Sequence, residues 1–348
     1  YWIYSIGNYV NKTLDTAPSE IKDIGLDSKV VEEENEPKEL IILVIGETAR
    51  ADRFSLNGYS KETNPLLKKE DLVSFTNMSS CGTSTAHSVP CMFSIFPKDD
   101  YSYKKGASTK NVLDVLNNTQ DVAILWRDNN SDSKGVALRV DYEDFKTPKT
   151  NSICDEECRD EGMLVGLEDY IEKNKNKNIL IVLHQMGNHG PAYYKRYPKE
   201  FEKFTPVCKT NQLENCTKEE ISNAYDNAIL YTDYFLSKAI NFLKKYSNTH
   251  EAGLLYVSDH GESLGENGIY LHGMPYAIAP KAQTHVASLI WLDNGQMAHE
   301  YDINKIKQNK DKEYSHDNLF DTLLGFFEVK TEVYKKELDI LNEARKED

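Results

Sequence analysis

Two short motifs, GET with Glu47 and DHGE with Asp259 and His260, each follow an apolar run and together offer two carboxylates and an imidazole. Two hard oxygen donors and one ring nitrogen suit Zn or Mn better than a thiolate-seeking metal. A third segment, SCGTSTAHSVPCMF (residues 80–93), fences Thr83, Ser84, Thr85 and Ser88 between Cys81 and Cys91. A hydroxyl is a weak nucleophile at neutral pH, and a divalent cation lowers its pKa enough to make it attack. One of these four hydroxyls is therefore a candidate nucleophile, on a loop that a Cys81–Cys91 disulfide would hold in place. Backbone N–H groups there would receive phosphate oxygens if AHSVPCMF opens a helix. His189 in GNHGP is a further candidate ligand or phosphate contact, and His272 in LHG follows DHGE closely.

Residues so far apart in sequence need a scaffold that gathers them. The runs ELIILVI (39–45), DVAILW (121–126), NILIVL (178–183), GLLYVS (253–258) and VASLIW (286–291) alternate with helical patterns over 108–117, 159–174, 219–245 and 315–327. Uniformly apolar strands imply a sheet covered on both faces, hence an α/β fold with a mostly parallel central sheet. In such sheets the ligand crevice lies beyond the carboxyl ends of the strands. That rule gathers Glu47, Asn130 or Ser131, His189, Asp259 and His260 at one rim. Residues 1–38 are expected to be a juxtamembrane and linker segment: YWIYSIGNYV fits either a headgroup boundary or a short packed helix, and 17–38 reads as a linker or loosely packed lead-in. The folded domain is expected over 39–348. Residues 193–218, rich in Tyr and Lys, would border an acceptor site or form a solvated loop, and KKELDILNEARKED reads as an amphipathic tail helix.

Composition removes several function classes. A net charge of −15 without a basic stripe argues against nucleic acid as a partner. No apolar run approaches the roughly 20 residues needed to cross a bilayer, and a start at Tyr1 fits an excised or processed form. Six cysteines fall into three local couples, Cys81 with Cys91, Cys154 with Cys158 and Cys208 with Cys216. Short-range disulfides are the simplest pairing and imply an exported protein; six free thiols in a cytosolic enzyme are the alternative. There is no CxxC, so zinc-finger spacing is absent.

GETARADRFSLNGY, SCGTSTAHSVPCMF, WRDNNSDSKG, HQMGNHGPAYY and SDHGESLGENGIYLHGMPYAIAP, in that order over about residues 39–330, closely resemble the lipid A phosphoethanolamine transferases of polymyxin resistance. These belong to the alkaline phosphatase and sulfatase superfamily. The resemblance implies a zinc-dependent periplasmic domain on an inner-membrane region that this chain lacks. It implies Glu47, Thr85, Asp259 and His260 as the zinc set, with Thr85 as nucleophile, and a second zinc as an option. Thr83, Asn130, Ser131, Lys134, His189 and His272 match residues around the phosphoethanolamine group, with His189 or His272 handling protons. The implied donor is phosphatidylethanolamine and the acceptor lipid A or another envelope molecule, and the expected state is monomeric. His87 stands where relatives are expected to carry an aromatic residue, which puts acceptor choice in question. A hydrolase of the same superfamily and a non-catalytic metal-stabilised envelope domain are the rival readings. A formylglycine sulfatase is disfavoured, because Met92 occupies the arginine of the C/S-x-P-x-R signature that would begin at Ser88.

Overall fold

The computed structural model describes residues 20–31 and 36–346. The headgroup-boundary expectation for YWIYSIGNYV therefore lies outside the described residues. The described strands are β1 (Lys29–Val30), β2 (Lys38–Gly46), β3 (Leu72–Ser79), β4 (Val122–Asp128), β5 (Asp141–Asp144), β6 (Asn178–His184), β7 (His250–Ser258), β8 (Ser263–Leu264), β9 (Tyr270–Leu271), β10 (His285–Leu292), β11 (Tyr314–Ser315) and β12 (Val329–Lys330), and eight of them form one dominant sheet. Its order is β11-β3-β10-β7-β2-β6-β4-β5, with β10 antiparallel to both neighbours and the other pairs parallel.

The apolar runs form the middle of this sheet because their two faces are both covered. Along β2, Ile41, Leu43 and Ile45 join one core with Val89 and Met92 of α1 (Thr85–Met92), Leu113 of α2 (Val112–Asn118) and Leu323 of α5 (Leu319–Phe326). Leu40, Ile42 and Val44 point the other way, into a second core with Leu167 of α3 (Leu167–Lys173) and Ile229 and Leu236 of α4 (Lys218–Leu243). The two-residue period of a strand thus divides one apolar run between two layers. α4 is started by a reciprocal cap, in which Thr217 Oγ1 accepts from Glu220 N at 3.2 Å and Glu220 Oε2 accepts from Thr217 N at 2.7 Å. At the end of β2, a Cβ on Gly46 would lie 2.4 Å from the Tyr256 hydroxyl, so only glycine fits before Glu47.

Two expectations need correction. The helix over 159–174 is broken: a turn at Asp160–Leu164 precedes α3, because Gly166 between them adopts φ 73. The amphipathic tail helix does not form; Lys336–Leu338 and Asn342–Ala344 are single 3-10 turns. There Asp339 Oδ1 accepts from Leu341 N at 2.8 Å while Arg345 pairs with Glu300 and Glu328, so the tail wraps the domain. The described part of the lead-in is also packed, with Ile24 in the core and β1 antiparallel to β12. The three expected disulfides, Cys81–Cys91, Cys154–Cys158 and Cys208–Cys216, are present. In the Tyr- and Lys-rich stretch, Tyr193 and Tyr197 are buried and Phe201 packs 5.0 Å from the rings of Tyr231 and Tyr234 on α4. Among the described residues no helix is long and apolar enough to cross a membrane.

At the sheet end where β2 and β7 begin, Glu39 and Glu251 stand opposite each other. Burial, reinforced by Glu300, Glu36 and Glu328, pushes the Glu251 carboxyl up to about 8 from an ordinary 4.5. A carboxyl raised on folding takes up a proton, so its contribution is complete below pH 4.5 and is lost as pH rises through 8. Glu251→Gln is expected to raise the denaturation midpoint at pH 8 and to leave it nearly unchanged near pH 4.5. Equal shifts at both pH values would contradict this.

Candidate active site

Glu47 leaves β2, Asp259 and His260 leave β7, and all three are fully buried. Thr48, held left-handed at φ 52, turns its N–H onto Asp259 Oδ1 at 3.1 Å, and His260 N donates to the same oxygen at 2.7 Å. Asp259 Oδ2 has no hydrogen-bond partner among the described residues. Glu47 is divided in the same way: Oε2 accepts from Asn130 Nδ2 at 2.7 Å and from Thr85 Oγ1 at 3.0 Å, while Oε1 has no such partner. His260 Nδ1 lies 2.9 Å from Gly261 O, which fixes the ring proton there and leaves Nε2 a lone pair. That nitrogen stands 3.5 Å from both Glu47 Oε1 and Asp259 Oδ2 and 3.4 Å from Thr85 Oγ1. Burial first, then the Asp259 charge, pushes the Glu47 carboxyl well above its ordinary value, and burial lowers His260 to about 4. Two desolvated acids with unbonded oxygens beside a neutral imidazole are costly unless a cation joins them. The ligand atoms of Glu47, Asp259 and His260 all lie within 4.8 Å of one another, so the site fits a divalent metal.

The four candidate hydroxyls separate by what they touch. Ser88 is buried, and its Oγ accepts from Gly82 N at 3.0 Å. Thr83 Oγ1 donates to Met274 O at 2.6 Å and so ties the loop to the segment that carries His272. Ser84 is the extended residue before α1, and its side chain makes no cap bond. Thr85, first in the helix, is the one against Glu47 and His260. His316, absent from the sequence-based set, latches this loop to the sheet: its Nδ1 accepts from Cys81 N at 3.0 Å, and its Nε2 lies 2.9 Å from Ser258 O, one residue before Asp259. No local pattern in YSHDN marks that role. His87 is exposed and packs its ring edge-on to Tyr101, 5.2 Å away.

Asn130 lies at the site but faces Glu47. Its amide donates to Glu47 Oε2 and, at 2.8 Å, to Gln185 O, and its Oδ1 takes both Ser131 N and, at 3.0 Å, Ser131 Oγ. Behind it stands a buried group that sequence reasoning missed. Asp128 Oδ1 accepts from Asn130 N at 2.9 Å, while Oδ2 meets Trp126 Nε1 and His184 Nδ1, each at 2.9 Å. The HQMGNHGP loop is clamped by Asp160, which accepts from Met186 N at 2.8 Å and Gly187 N at 3.1 Å. On that loop His189 has its ring 6.0 Å from that of His272, which is itself 4.4 Å from His260. Burial and the neighbouring Arg196 charge lower His189 to about 4. Burial also opposes the charge of His272, but Glu262 Oε1, 3.0 Å from its Nδ1, outweighs that and raises it to about 9. Glu262, fully buried, is a further group the sequence did not single out. Lys134 pairs its Nζ with Asp132 Oδ1 at 3.3 Å.

A mostly parallel sheet carries a buried acid–acid–imidazole cluster with an adjoining hydroxyl, an arrangement that fits a divalent metal beside a nucleophile. Residues 39–329 match the sulfatase family. The chain is 48% identical over 338 residues to phosphatidylethanolamine transferase Mcr-2 from Escherichia coli, covering 94% of this chain and 61% of that protein. It superposes on the soluble domain of lipooligosaccharide phosphoethanolamine transferase A from Neisseria meningitidis with a TM-score of 0.90 at 40% identity, covering 94% of this chain and 99% of the other. For the integral membrane protein lipooligosaccharide phosphoethanolamine transferase A (EptA) of N. meningitidis the TM-score is 0.94 at 38% identity, covering 99% and 65%. The chain belongs to the sulfatase family, in its phosphoethanolamine transferase branch. It spans about three-fifths of the length of the E. coli relative.

Asn130→Ala removes one of the two donors on Glu47 Oε2. Zinc affinity, measured by competition with a chromophoric chelator, is expected to fall about 10- to 100-fold. An unchanged affinity would contradict the positioning role.

Proposed function

We propose that this domain transfers phosphoethanolamine from phosphatidylethanolamine to lipid A or another envelope acceptor, with Thr85 as the covalent carrier. One observation carries the reading: Thr85 Oγ1 lies 3.0 Å from Glu47 Oε2 and 3.4 Å from His260 Nε2, beside carboxylate oxygens left unbonded. Glu47, Asp259 and His260, with the Thr85 hydroxyl, would hold the metal, and their oxygen and nitrogen donors favour zinc. When bound, zinc lowers the pKa of a hydroxyl and offsets the charge of phosphoryl oxygens.

Thr85 directs its proton toward Glu47 Oε2, which turns its oxygen lone pairs to the incoming phosphorus. Attack forms the threonine–phosphorus bond and breaks the bond to the glycerol oxygen, which leaves as diacylglycerol after taking a proton. His272, its ring 4.4 Å from that of His260, and His189, its ring 6.0 Å from that of His272, would carry that proton, and they are also the candidates for a second zinc. An acceptor phosphate or hydroxyl oxygen then attacks the same phosphorus and restores Thr85. Start of α1 at Thr85 leaves N–H groups of its first turn for the phosphoryl oxygens. The likeness to an integral membrane protein and the three disulfides support a periplasmic domain attached to the inner membrane.

Incubation with phosphatidylethanolamine followed by intact-mass and peptide analysis tests this. A phosphoethanolamine adduct is expected on the peptide between Cys81 and Cys91, absent after chelation and absent in Thr85→Ala, whose transfer rate should fall on the order of 10³-fold or more. An adduct elsewhere, or full transfer by Thr85→Ala, would overturn the reading.

A further inference from the structure

One buried side chain outside every motif joins the segment after His260 to the turn that carries His272. Gln283, in the short helix Lys281–Thr284, is fully buried. Its Nε2 donates to Ser263 Oγ at 2.9 Å and to Leu271 O at 3.1 Å, and its Oε1 accepts from Met274 N at 3.2 Å. Leu271 and Met274 bracket His272 and Gly273, so one amide grips both ends of that turn. The gripped backbone groups also fix which way the amide faces, since a carbonyl needs its NH2 end and an N–H needs its oxygen. The backbone O of Gln283 accepts from Gly261 N at 3.0 Å, one residue after His260. That approach is close, because a Cβ on Gly261 would lie 2.1 Å from Ala282 O.

We propose that Gln283 is the positioning residue of His272: its amide holds a strained turn in the conformation that sets the His272 ring beside that of His260. The proposal deepens the transferase reading above and rests on it. The turn needs such a grip. Leu271 is left-handed at φ 62, which a bulky side chain rarely adopts and keeps only where its surroundings over-determine it, and Gly273 follows at φ 88. A Cβ on Gly190 would lie 2.9 Å from Leu271 Cδ2, so the same residue also packs against the loop that carries His189. Two further contacts tie the turn to the nucleophile loop, where Gly273 N donates to Thr83 O at 2.8 Å and Thr83 Oγ1 donates to Met274 O at 2.6 Å. Glu262 Oε1, 3.0 Å from His272 Nδ1, orients the ring. Glu262 thus acts on the imidazole, whereas Thr83 and Gln283 act on the backbone beneath it. Of those two, Gln283 is the one bonded to Gly261 and Ser263, so it refers the 4.4 Å separation of the two rings to the segment of His260 itself. A proton carrier displaced by about 1 Å loses much of its effect.

The test compares the zinc-loaded full chain with Gln283→Met, which keeps the length of the side chain and removes its three hydrogen bonds. Single-turnover formation of the Thr85 adduct from phosphatidylethanolamine, followed by mass spectrometry, is expected to slow about 10- to 100-fold at saturating donor. The half-saturating donor concentration should change less than about twofold, as for a group that acts on the chemical step. In a His272→Ala background the same substitution should slow the reaction further by less than about twofold, because a residue acting through His272 has nothing left to position. Equal slowing in both backgrounds, or a shift in donor saturation in place of rate, overturns the proposal. A crystal structure of Gln283→Met gives a readout that needs no turnover. Leu271 is expected to leave its left-handed conformation and the His272 ring its 4.4 Å contact, and an unmoved His272 overturns the proposal. A displaced His272 in a variant whose parent forms no Thr85 adduct supports the positioning role and removes the transferase reading. Where zinc content and thermal midpoint show that the Met variant does not fold, Gln283→Glu takes its place, with the same shape, an acceptor facing Met274 N and, when ionised, no donor for Leu271 O.

Discussion

Two carboxylates buried side by side, each with one oxygen left unbonded, are the constraint around which this fold is arranged. Glu47 and Asp259 are fully buried side by side, and burial together with the Asp259 charge pushes the Glu47 carboxyl well above its ordinary value. Among the described residues neither acid has a lysine or arginine partner. The structure satisfies one oxygen of each acid, through Asn130 and Thr85 on Glu47 and through the Thr48 and His260 amides on Asp259. The remaining oxygens and His260 Nε2 share a small volume, which is the preparation a divalent cation needs.

Thr85 is positioned against that volume by contacts of the loop that carries it. The Cys81–Cys91 bridge shortens the loop, Ser88 folds it on Gly82, Thr83 pins it to Met274, and His316 joins it to the last residue of β7. Each contact joins the hydroxyl segment to itself or to an element of a ligand or neighbouring histidine. The distance between Thr85 and the acids is therefore set by rigid strands and buried hydrogen bonds, as positioning catalysis requires. The same logic extends outward, from Trp126 and His184 through Asp128 to Asn130 and then Glu47.

Much of this was legible in the sequence where apolar runs or dense motifs carried it. The central strands were marked by unbroken aliphatic residues, GET and DHGE by their place after those strands, and the disulfides by close cysteine pairs. Strand direction was not encoded: VASLIW looks like its neighbours, yet β10 runs antiparallel. β3 was missed because LVSFTNMS mixes polar and apolar residues over a half-exposed face. The broken helix at Gly166 and the wrapped tail show local periodicity overruled by a left-handed glycine and by the Arg345 pairs. His316, Asp128 and Glu262 were invisible for a different reason. A lone buried polar residue takes its role from its partners, and those of His316 lie 235 and 58 residues away in sequence. The sequence left Asn130 or Ser131 at the rim, and only the hydrogen bonds reveal that the Asn130 amide faces Glu47.

The central claim is that Glu47, Asp259, His260 and Thr85 hold one divalent cation between them. Anomalous diffraction at the zinc edge, on crystals of the zinc-loaded chain, tests it most directly. The account predicts a peak bonded to an oxygen of Glu47, an oxygen of Asp259, Nε2 of His260 and Oγ1 of Thr85, at about 2.0–2.2 Å. A metal bound only at other residues, with Thr85 and the two acids left outside its coordination sphere, would contradict it.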